Sequence, residues 1–187
     1  MDRATWLAER RAAVTAAYNA EASEYDEHEY PSDMQRDWIQ RLVHLPADSL
    51  VLDAPCGTGK YFPIVAAAGH RVVGVDQSPG MLEQARARNI AIALECTSLR
   101  DLTYHQEFDA VLTVDAIENV PPEEWPLVLR NLHRSLHPGG LLYLTVEEVD
   151  ESTIDAAFAS LSRSQLPAVR GEVTEGDVAG YHFYPGR

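Results

Sequence analysis

The sequence is poor in cysteine and in basic residues, and it has no long hydrophobic run. Its two cysteines, Cys56 and Cys96, lie far apart and outside any spacing typical of zinc ligands, so neither a disulfide framework nor a metal site is expected. With 15 Lys and Arg against 29 Asp and Glu, the net charge of −14 repels a phosphate backbone and disfavours nucleic acid as a partner. No segment approaches a membrane span or the apolar core of a signal peptide. We therefore expect a cytoplasmic protein without a membrane partner.

The distribution of apolar residues divides the 187-residue chain into three parts that together suit a single domain. Two helical patterns occupy the first 45 residues. Five short apolar runs then alternate with helical patterns, and a further helical pattern and an extended segment follow. We expect one domain, 1–187, with an N-terminal helical cap at 1–45, an α/β core at 46–150 and a C-terminal helix and extended segment at 151–187.

Apolar runs without polar alternation are typical of strands buried on both faces of a sheet. The runs are 50–54, 71–75, 90–96, 110–114 and 141–146, and the helical patterns between them are 61–68, 79–88 and 123–137. Ser78 is a predicted N-cap, Pro138-Gly139-Gly140 a predicted helix stop, and the connector 97–109 has no clear helical period. Strand–helix alternation predicts a doubly wound α/β fold with a mostly parallel sheet, which binds ligands at the carboxyl ends of its strands.

The segment after the first run combines an acid with two glycines, in the pattern Asp53-x-x-x-Gly57-x-Gly59. A phosphate-binding P-loop would need glycine in place of Ala54. A dinucleotide fingerprint would need a third glycine where Phe62 stands, which disfavours a nicotinamide oxidoreductase. The pattern suits a phosphate-free ligand with a cationic end, held near the Asp53 carboxylate by charge-assisted hydrogen bonding.

A second acid, Asp76, follows the second run directly. In a βαβ unit, an acid at this place accepts hydrogen bonds from both ribose hydroxyls of a nucleoside. The alternative is a solvated carboxylate that caps a loop. Together with the glycine loop, the first interpretation predicts a nucleoside with a cationic tail as the ligand.

Four stretches resemble the class I S-adenosylmethionine-dependent methyltransferases that act on small molecules: VLDAPCGTGKY, VVGVDQSPGMLEQAR, FDAVLTVDAIENV and LHRSLHPGGLLYLTVEE. They follow one another in the family's order. The resemblance implies a Rossmann-like sheet of order 3-2-1-4-5, S-adenosylmethionine as cofactor, and methyl transfer to a small-molecule acceptor by in-line displacement. Pro55 stands where the family often has glycine.

Carried over by position, the family pattern assigns eleven residues to the cofactor. The methionine part is assigned to Asp53, Ala54, Gly57 and Gly59, the ribose to Asp76, the adenine to Gln77, Met81, Ser98 and Leu99, the sulfonium to Asp115, and a covering lid to Tyr25. Ser98 departs from the Asp that relatives commonly carry, so its hydroxyl or the Leu99 backbone would contact the adenine edge.

Three residues are candidates for the acceptor side of the site. Glu118 and Asn119 occupy positions that often face the acceptor in the family, and His182 could reach the mouth of the pocket. Surface capping by the first two and aromatic packing around His182 are the alternatives. A general base is needed only for a protonated acceptor, and a non-catalytic cofactor-binding or scaffold protein is the alternative function.

The chain ends soon after Tyr184, whereas the family usually continues with a helix and two further strands. Either the chain is truncated, or the neighbour of the fifth strand comes from 172–184 or from another subunit, because an uncovered strand edge invites association. We expect the final strands of the usual seven-stranded sheet to be missing or atypical, and a homodimer as one way to cover the edge.

Overall fold

The computed structural model describes residues 1–28, 32–146, 149–175 and 178–181. Its helices are α1 (Arg3–Glu21), α2 (Tyr25–His28), α3 (Asp33–Gln40), α4 (Phe62–Ala67), α5 (Pro79–Ala87), α6 (Trp125–Ser135) and α7 (Glu151–Arg163). Its strands are β1 (Leu50–Asp53), β2 (Arg71–Asp76), β3 (Ala93–Cys96), β4 (Phe108–Thr113), β5 (Leu136–Leu144), β6 (Glu172–Glu175) and β7 (Val178–Tyr181). Short 3-10 turns lie at Arg41–His44, Ile117–Asn119 and Pro122–Glu124. None of the described helices is long and apolar enough to cross a lipid bilayer.

The described chain falls into two compact units. The sheet unit comprises Tyr18–Val114 and Pro126–Leu144, and the second unit comprises the described residues of Met1–Ala17, Asp115–Trp125 and Thr145–Arg187. The single domain expected from the sequence, with its cap, core and C-terminal boundaries, stays a prediction.

The sheet unit is built on five parallel strands in the order β3-β2-β1-β4-β5, as predicted. The central strands β1, β2 and β4 are buried along nearly their whole length, since each has a strand on both sides. Their registers pair Asp53 with Gly74 of β2 and with Leu112 of β4. The carboxyl ends of the three central strands therefore lie side by side, with Asp53 in the middle.

The edge strands differ from the prediction of strands buried on both faces. Most residues of β3 and β5 are exposed or only partly buried, because each strand has a neighbour on one side alone within the described sheet. β3 is also shorter than the run 90–96. Apolar composition identified these strands correctly, but it did not show how deeply they are buried.

The transition from α6 to β5 is the clearest correction to the sequence analysis. The helix ends at Ser135, before the predicted stop, and β5 begins at Leu136 rather than at residue 141. The N–H groups of Gln106 and Glu107 donate to the carbonyls of Arg134 and Ser135, at 2.7 and 2.9 Å, so the chain pairs with the start of β4 at once. The Pro138-Gly139-Gly140 segment lies within an irregularity of β5, where the register shifts between Phe108 and Ala110.

The second unit contains α7 and an antiparallel hairpin of β6 and β7. This hairpin forms its own two-stranded sheet and does not pair with β5. Of the alternatives considered for the neighbour of the fifth strand, the segment 172–184 is therefore not supported by its described residues. Arg3 ties α1 to this region through Glu172, whose buried carboxylate it contacts at 2.5 Å.

Candidate cofactor site

The loop after β1 turns sharply at the two predicted glycines. Gly57 and Gly59 have φ values of +52° and +75°, a region that L side chains rarely adopt. A Cβ atom on Gly59 would lie 2.5 Å from the ring of Phe62, whereas one on Gly57 would meet nothing within 4 Å. Gly59 is therefore required for internal packing, and Gly57 leaves bare backbone facing open space, as a ligand-binding loop needs.

Backbone hydrogen bonds join this loop to the neighbouring strand tips. Cys56 N–H donates to the carbonyl of Val75 at 2.7 Å, and Ala54 N–H donates to that of Leu112 at 2.9 Å. Because the Ala54 amide is used within the sheet, its contribution to a ligand would be limited to its small side chain and carbonyl. The bonds hold the glycine loop against the ends of β2 and β4.

Asp76 is the acid at the end of β2, and it is 7% exposed. Its Oδ2 accepts from Gly57 N–H at 2.9 Å and its Oδ1 from Ser78 N–H at 2.8 Å. Burial raises the pKa of this carboxyl, and the backbone hydrogen bonds oppose the shift. Because a carboxylate oxygen can accept more than one hydrogen bond, Asp76 can still accept from a ligand, which fits an acceptor of ribose hydroxyls.

Asp53 is fully buried, and neither of its carboxylate oxygens has a hydrogen-bond partner among the described residues. Burial, and then the nearby charge of Asp76, raise its pKa well above the ordinary value, while Lys60 partly offsets them. A buried carboxylate without partners is costly and rare in folded proteins. This orphaned group fits a ligand that brings a positive charge or hydrogen-bond donors, such as the ammonium group of an amino-acid tail.

The residues predicted to surround adenine flank the same strand ends. Met81 is buried in the first turn of α5, whose N-cap is Ser78 as predicted, with its Oγ accepting from Met81 N–H. Gln77 is partly buried beside it. Ser98 donates its hydroxyl proton to Asp101 Oδ2 at 2.6 Å, so its oxygen remains an acceptor.

The loop that carries Ser98 and Leu99 is anchored by a buried side chain that the sequence analysis missed. The amide of Asn131 on α6 donates to the carbonyls of Leu99 and Arg100 at 3.0 and 2.8 Å. Its burial in an amphipathic helix is the pattern that could have indicated such a role, because buried amides are normally hydrogen-bonded.

Tyr25 lies in α2 within the sheet unit. Its ring packs edge-on against Tyr18, with centroids 6.1 Å apart, and the ammonium of Lys60 lies 5.3 Å from its centroid. Lys60 directly follows Gly59, so the predicted lid residue contacts the end of the glycine loop.

The remaining predicted residues belong to the second unit or fall outside the described residues. Asp115, Glu118 and Asn119 belong to the second unit, so their part in the site stays a prediction. Asp115 has a φ of +48°, and its N–H donates to Thr145 Oγ1, whose hydroxyl donates back to Asp115 Oδ1. His182 lies outside the described residues. In the part of the chain that the structure describes, no three His, Cys, Asp or Glu side chains are grouped to hold a metal ion.

A doubly wound parallel sheet with a glycine loop after β1 and an acid after β2 defines a Rossmann-like nucleoside-binding protein. Known proteins agree: residues 51–140 match the family model of a methyltransferase domain. The malonyl-[acyl-carrier protein] O-methyltransferase of Erwinia pyrifoliae is 34% identical over 160 residues, covering 81% of this chain and 58% of that protein. Methyltransferase-like protein 27 of Homo sapiens is 38% identical over 131 residues, covering 62% of this chain and 51% of that protein.

Among solved structures, the DhpI–SAH complex shares the fold, with a TM-score of 0.66 at 21% identity over 92% of this chain and 79% of that chain. Residues 51–140 therefore form a methyltransferase domain with the class I fold, and S-adenosylmethionine is the cofactor of that family. The chain spans between half and three fifths of the length of the two curated relatives, at 51% and 58%.

Proposed function

We propose that the chain transfers the methyl group of S-adenosylmethionine to a small-molecule acceptor by in-line displacement. The observation that carries this proposal is Asp53, a fully buried carboxylate without a hydrogen-bond partner among the described residues, at the start of a glycine loop. A buried anion becomes favourable when a ligand brings the opposite charge. S-adenosylmethionine carries two cationic groups, an ammonium and a sulfonium, and the match of residues 51–140 to a methyltransferase domain favours it as the ligand.

Each part of the cofactor is proposed to contact its own set of residues. Asp53 would accept from the ammonium of the cofactor, and Asp76 from the ribose hydroxyls in addition to the N–H groups of Gly57 and Ser78. The backbone at Gly57 and Gly59 would line the methionine part. The adenine would contact Gln77, Met81, Ser98 and Leu99. The sulfonium would lie near Asp115, and Tyr25 would cover the cofactor.

When bound, the cofactor supplies an activated methyl group as the electrophile. The protein then has to hold the acceptor in line with this methyl group, and such positioning can lower the activation free energy by about 7–11 kcal/mol. We assign the acceptor side to Glu118, Asn119 and His182, of which Glu118 or His182 would take the proton from a protonated acceptor. The Erwinia pyrifoliae relative is named for methylation at oxygen, which makes carboxylic acids and their acyl derivatives the first acceptors to test.

Calorimetry and a turnover assay test the proposal in two steps. Titration with S-adenosylhomocysteine should show one binding site, and titration with NAD should show none. Release of S-adenosylhomocysteine from S-adenosylmethionine is then measured with panels of small carboxylic acids, phenols and amines. Binding without turnover on any panel would favour the non-catalytic alternative, and binding of NAD alone would contradict the proposal.

Association into a homodimer along β5 is part of the same proposal. This strand is one of the two edges of the described sheet, and Leu141 and Leu142 on it are 47% and 41% exposed, which supports pairing with a second copy. Sedimentation velocity should show a dimer that Leu142→Lys dissociates. A cytoplasmic location is supported by the exposed free thiol of Cys96, which suits a reducing compartment.

A further inference from the structure

The segment Tyr18 to His28 is fastened to the cofactor loops by side chains that the proposed function does not use. Near its start, Asn19 Oδ1 accepts from Ser78 Oγ at 2.7 Å and from Gly80 N–H at 2.9 Å. A Cβ atom on Gly80 would lie 3.1 Å from Asn19 oxygens, so glycine permits this close approach. The segment is thereby anchored beside the turn that follows Asp76.

The second anchor consists of three hydrogen bonds among Asp26, Thr58 and Arg88, here called the Asp26 latch. Thr58 Oγ1 donates to Asp26 Oδ1 at 2.6 Å, and Arg88 Nη2 donates to Asp26 Oδ2 at 2.5 Å. Arg88 Nε also donates to the carbonyl of Thr58 at 2.7 Å. One carboxylate therefore joins α2, the glycine loop and the end of α5.

The Asp26 latch acts on the glycine loop through Thr58. Thr58 stands between Gly57 and Gly59 and is 1% exposed. A loop with two left-handed glycines has much conformational freedom to lose, so contacts from outside the loop contribute strongly to its order. Both the side chain and the carbonyl of Thr58 are held by the latch, and Asp26 directly follows Tyr25, the proposed lid residue.

We propose that Asp26 is a positioning residue that closes the segment 18–28 onto the glycine loop and so slows the dissociation of the cofactor. The inference rests on the proposed function, because the cofactor is the ligand that the loop is proposed to hold. The side chains of Asp26 and Arg88 are 44% and 28% exposed, so the latch lies near enough to solvent to open and re-form. Its opening would release Tyr25 and loosen the loop together.

Asp26→Asn tests the latch, because it keeps the shape and a carbonyl acceptor for Thr58 but removes the charge that Arg88 contacts. In surface plasmon resonance with S-adenosylhomocysteine, we expect the dissociation rate to rise about tenfold. Arg88→Gln should raise the rate at least as much, because it also removes the hydrogen bond from Arg88 Nε to the Thr58 carbonyl. The double variant should be no worse than Arg88→Gln alone, since the Asp26–Arg88 contact is already lost there. Asp48→Asn is the matched control: it disrupts the exposed Arg71–Asp48 ion pair at 2.9 Å and should leave the rate unchanged.

Hydrogen exchange of the free protein gives a second, ligand-independent measurement. Amides of 18–28 and of the glycine loop should lose protection in Asp26→Asn, while the thermal midpoint stays near that of the wild type. Additive effects in the double variant, or wild-type dissociation and exchange in Asp26→Asn, would overturn the latch. Failure of the wild-type chain to bind S-adenosylhomocysteine would instead overturn the proposed function, and exchange alone would then decide whether Asp26 holds the segment.

Discussion

The charge of Asp53 opposes folding of the free protein and favours binding of the cofactor, so removing it should separate stability from function. The carboxylate is fully buried without a hydrogen-bond partner among the described residues. Asp53→Asn keeps the shape of the side chain and removes the charge. We therefore expect a variant that is more stable than the wild type and binds the cofactor less tightly, a trade-off typical of ligand sites.

The stability difference should depend on pH. Burial, and next the charge of Asp76, raise the pKa of Asp53 above its ordinary value of 3.8, so the folded state holds this proton more tightly than the unfolded state. The contribution of Asp53 to stability therefore falls as pH rises from about 3.8 through the raised pKa. The variant lacks this contribution, whereas the raised pKa of Asp76 causes a loss of the same sign in both proteins. The amide of the variant also lacks partners, so the expected gain is only the extra cost of burying the charge, about 1–3 kcal/mol. For a chain of this size, each kcal/mol corresponds to about 2–4 °C in Tm.

The loss of affinity should be confined to ligands with an amino-acid tail. A hydrogen bond to a charged group contributes about 1.5–3 kcal/mol, which corresponds to a Kd for S-adenosylhomocysteine raised about 10- to 150-fold. Methylthioadenosine lacks the ammonium group, so its affinity should not change.

Thermal unfolding from pH 5 to 8 and calorimetry with both ligands measure these effects together. Asp109→Asn is the control, because Asp109 Oδ2 accepts from Leu50 N–H at 2.8 Å and the same substitution there should bring no gain in stability. A lower Tm for Asp53→Asn at pH 8, or equal losses of affinity for both ligands, would refute the reasoning.

Three further predictions concern the rest of the site. Asp76→Ala should weaken binding of both ligands by about 2–3 kcal/mol, since it removes a charged acceptor of two hydroxyls; an unchanged Kd in calorimetry would reduce it to a loop carboxylate. Gly57→Val should abolish cofactor binding while the protein stays folded. Gly59→Val should in addition lower the Tm, because its Cβ would lie 2.5 Å from the Phe62 ring, and circular dichroism melts of the two variants compare their stabilities. Asn131→Ala should lower the free energy of unfolding by about 1–3 kcal/mol in urea titrations, since it leaves the carbonyls of Leu99 and Arg100 without their donor; wild-type stability would show that water replaces it.

The central strands were predictable because burial on both faces leaves a continuous apolar run in the sequence. β1, β2 and β4 show such runs, and the strand order follows from the family resemblance. The start of β5 was not predictable, because it depends on a pairing between the carbonyls of Arg134 and Ser135 and the N–H groups of Gln106 and Glu107. No local pattern in residues 123–140 records that partner.

The candidate site was predictable wherever its residues stand at the tip of a strand. Asp53 and Asp76 were identified because parallel strands bring their carboxyl ends together, and topology alone places their side chains near one another. Asn19 and Asp26 were missed because their partners, such as Ser78 and Arg88, lie about sixty residues further along the chain. Contacts of that separation are fixed by tertiary packing and leave no periodicity to detect.

The two acids also show what only a structure can add to a motif. In the sequence each is an aspartate at the end of an apolar run, and neither its burial nor its hydrogen-bond partners can be seen. In the structure the backbone hydrogen bonds of Gly57 and Ser78 satisfy Asp76, while Asp53 has no such partner among the described residues. The fold therefore tolerates Asp76 without a ligand but gains from a ligand at Asp53. This difference supports the proposed contacts of the neutral ribose with Asp76 and of the cationic tail with Asp53.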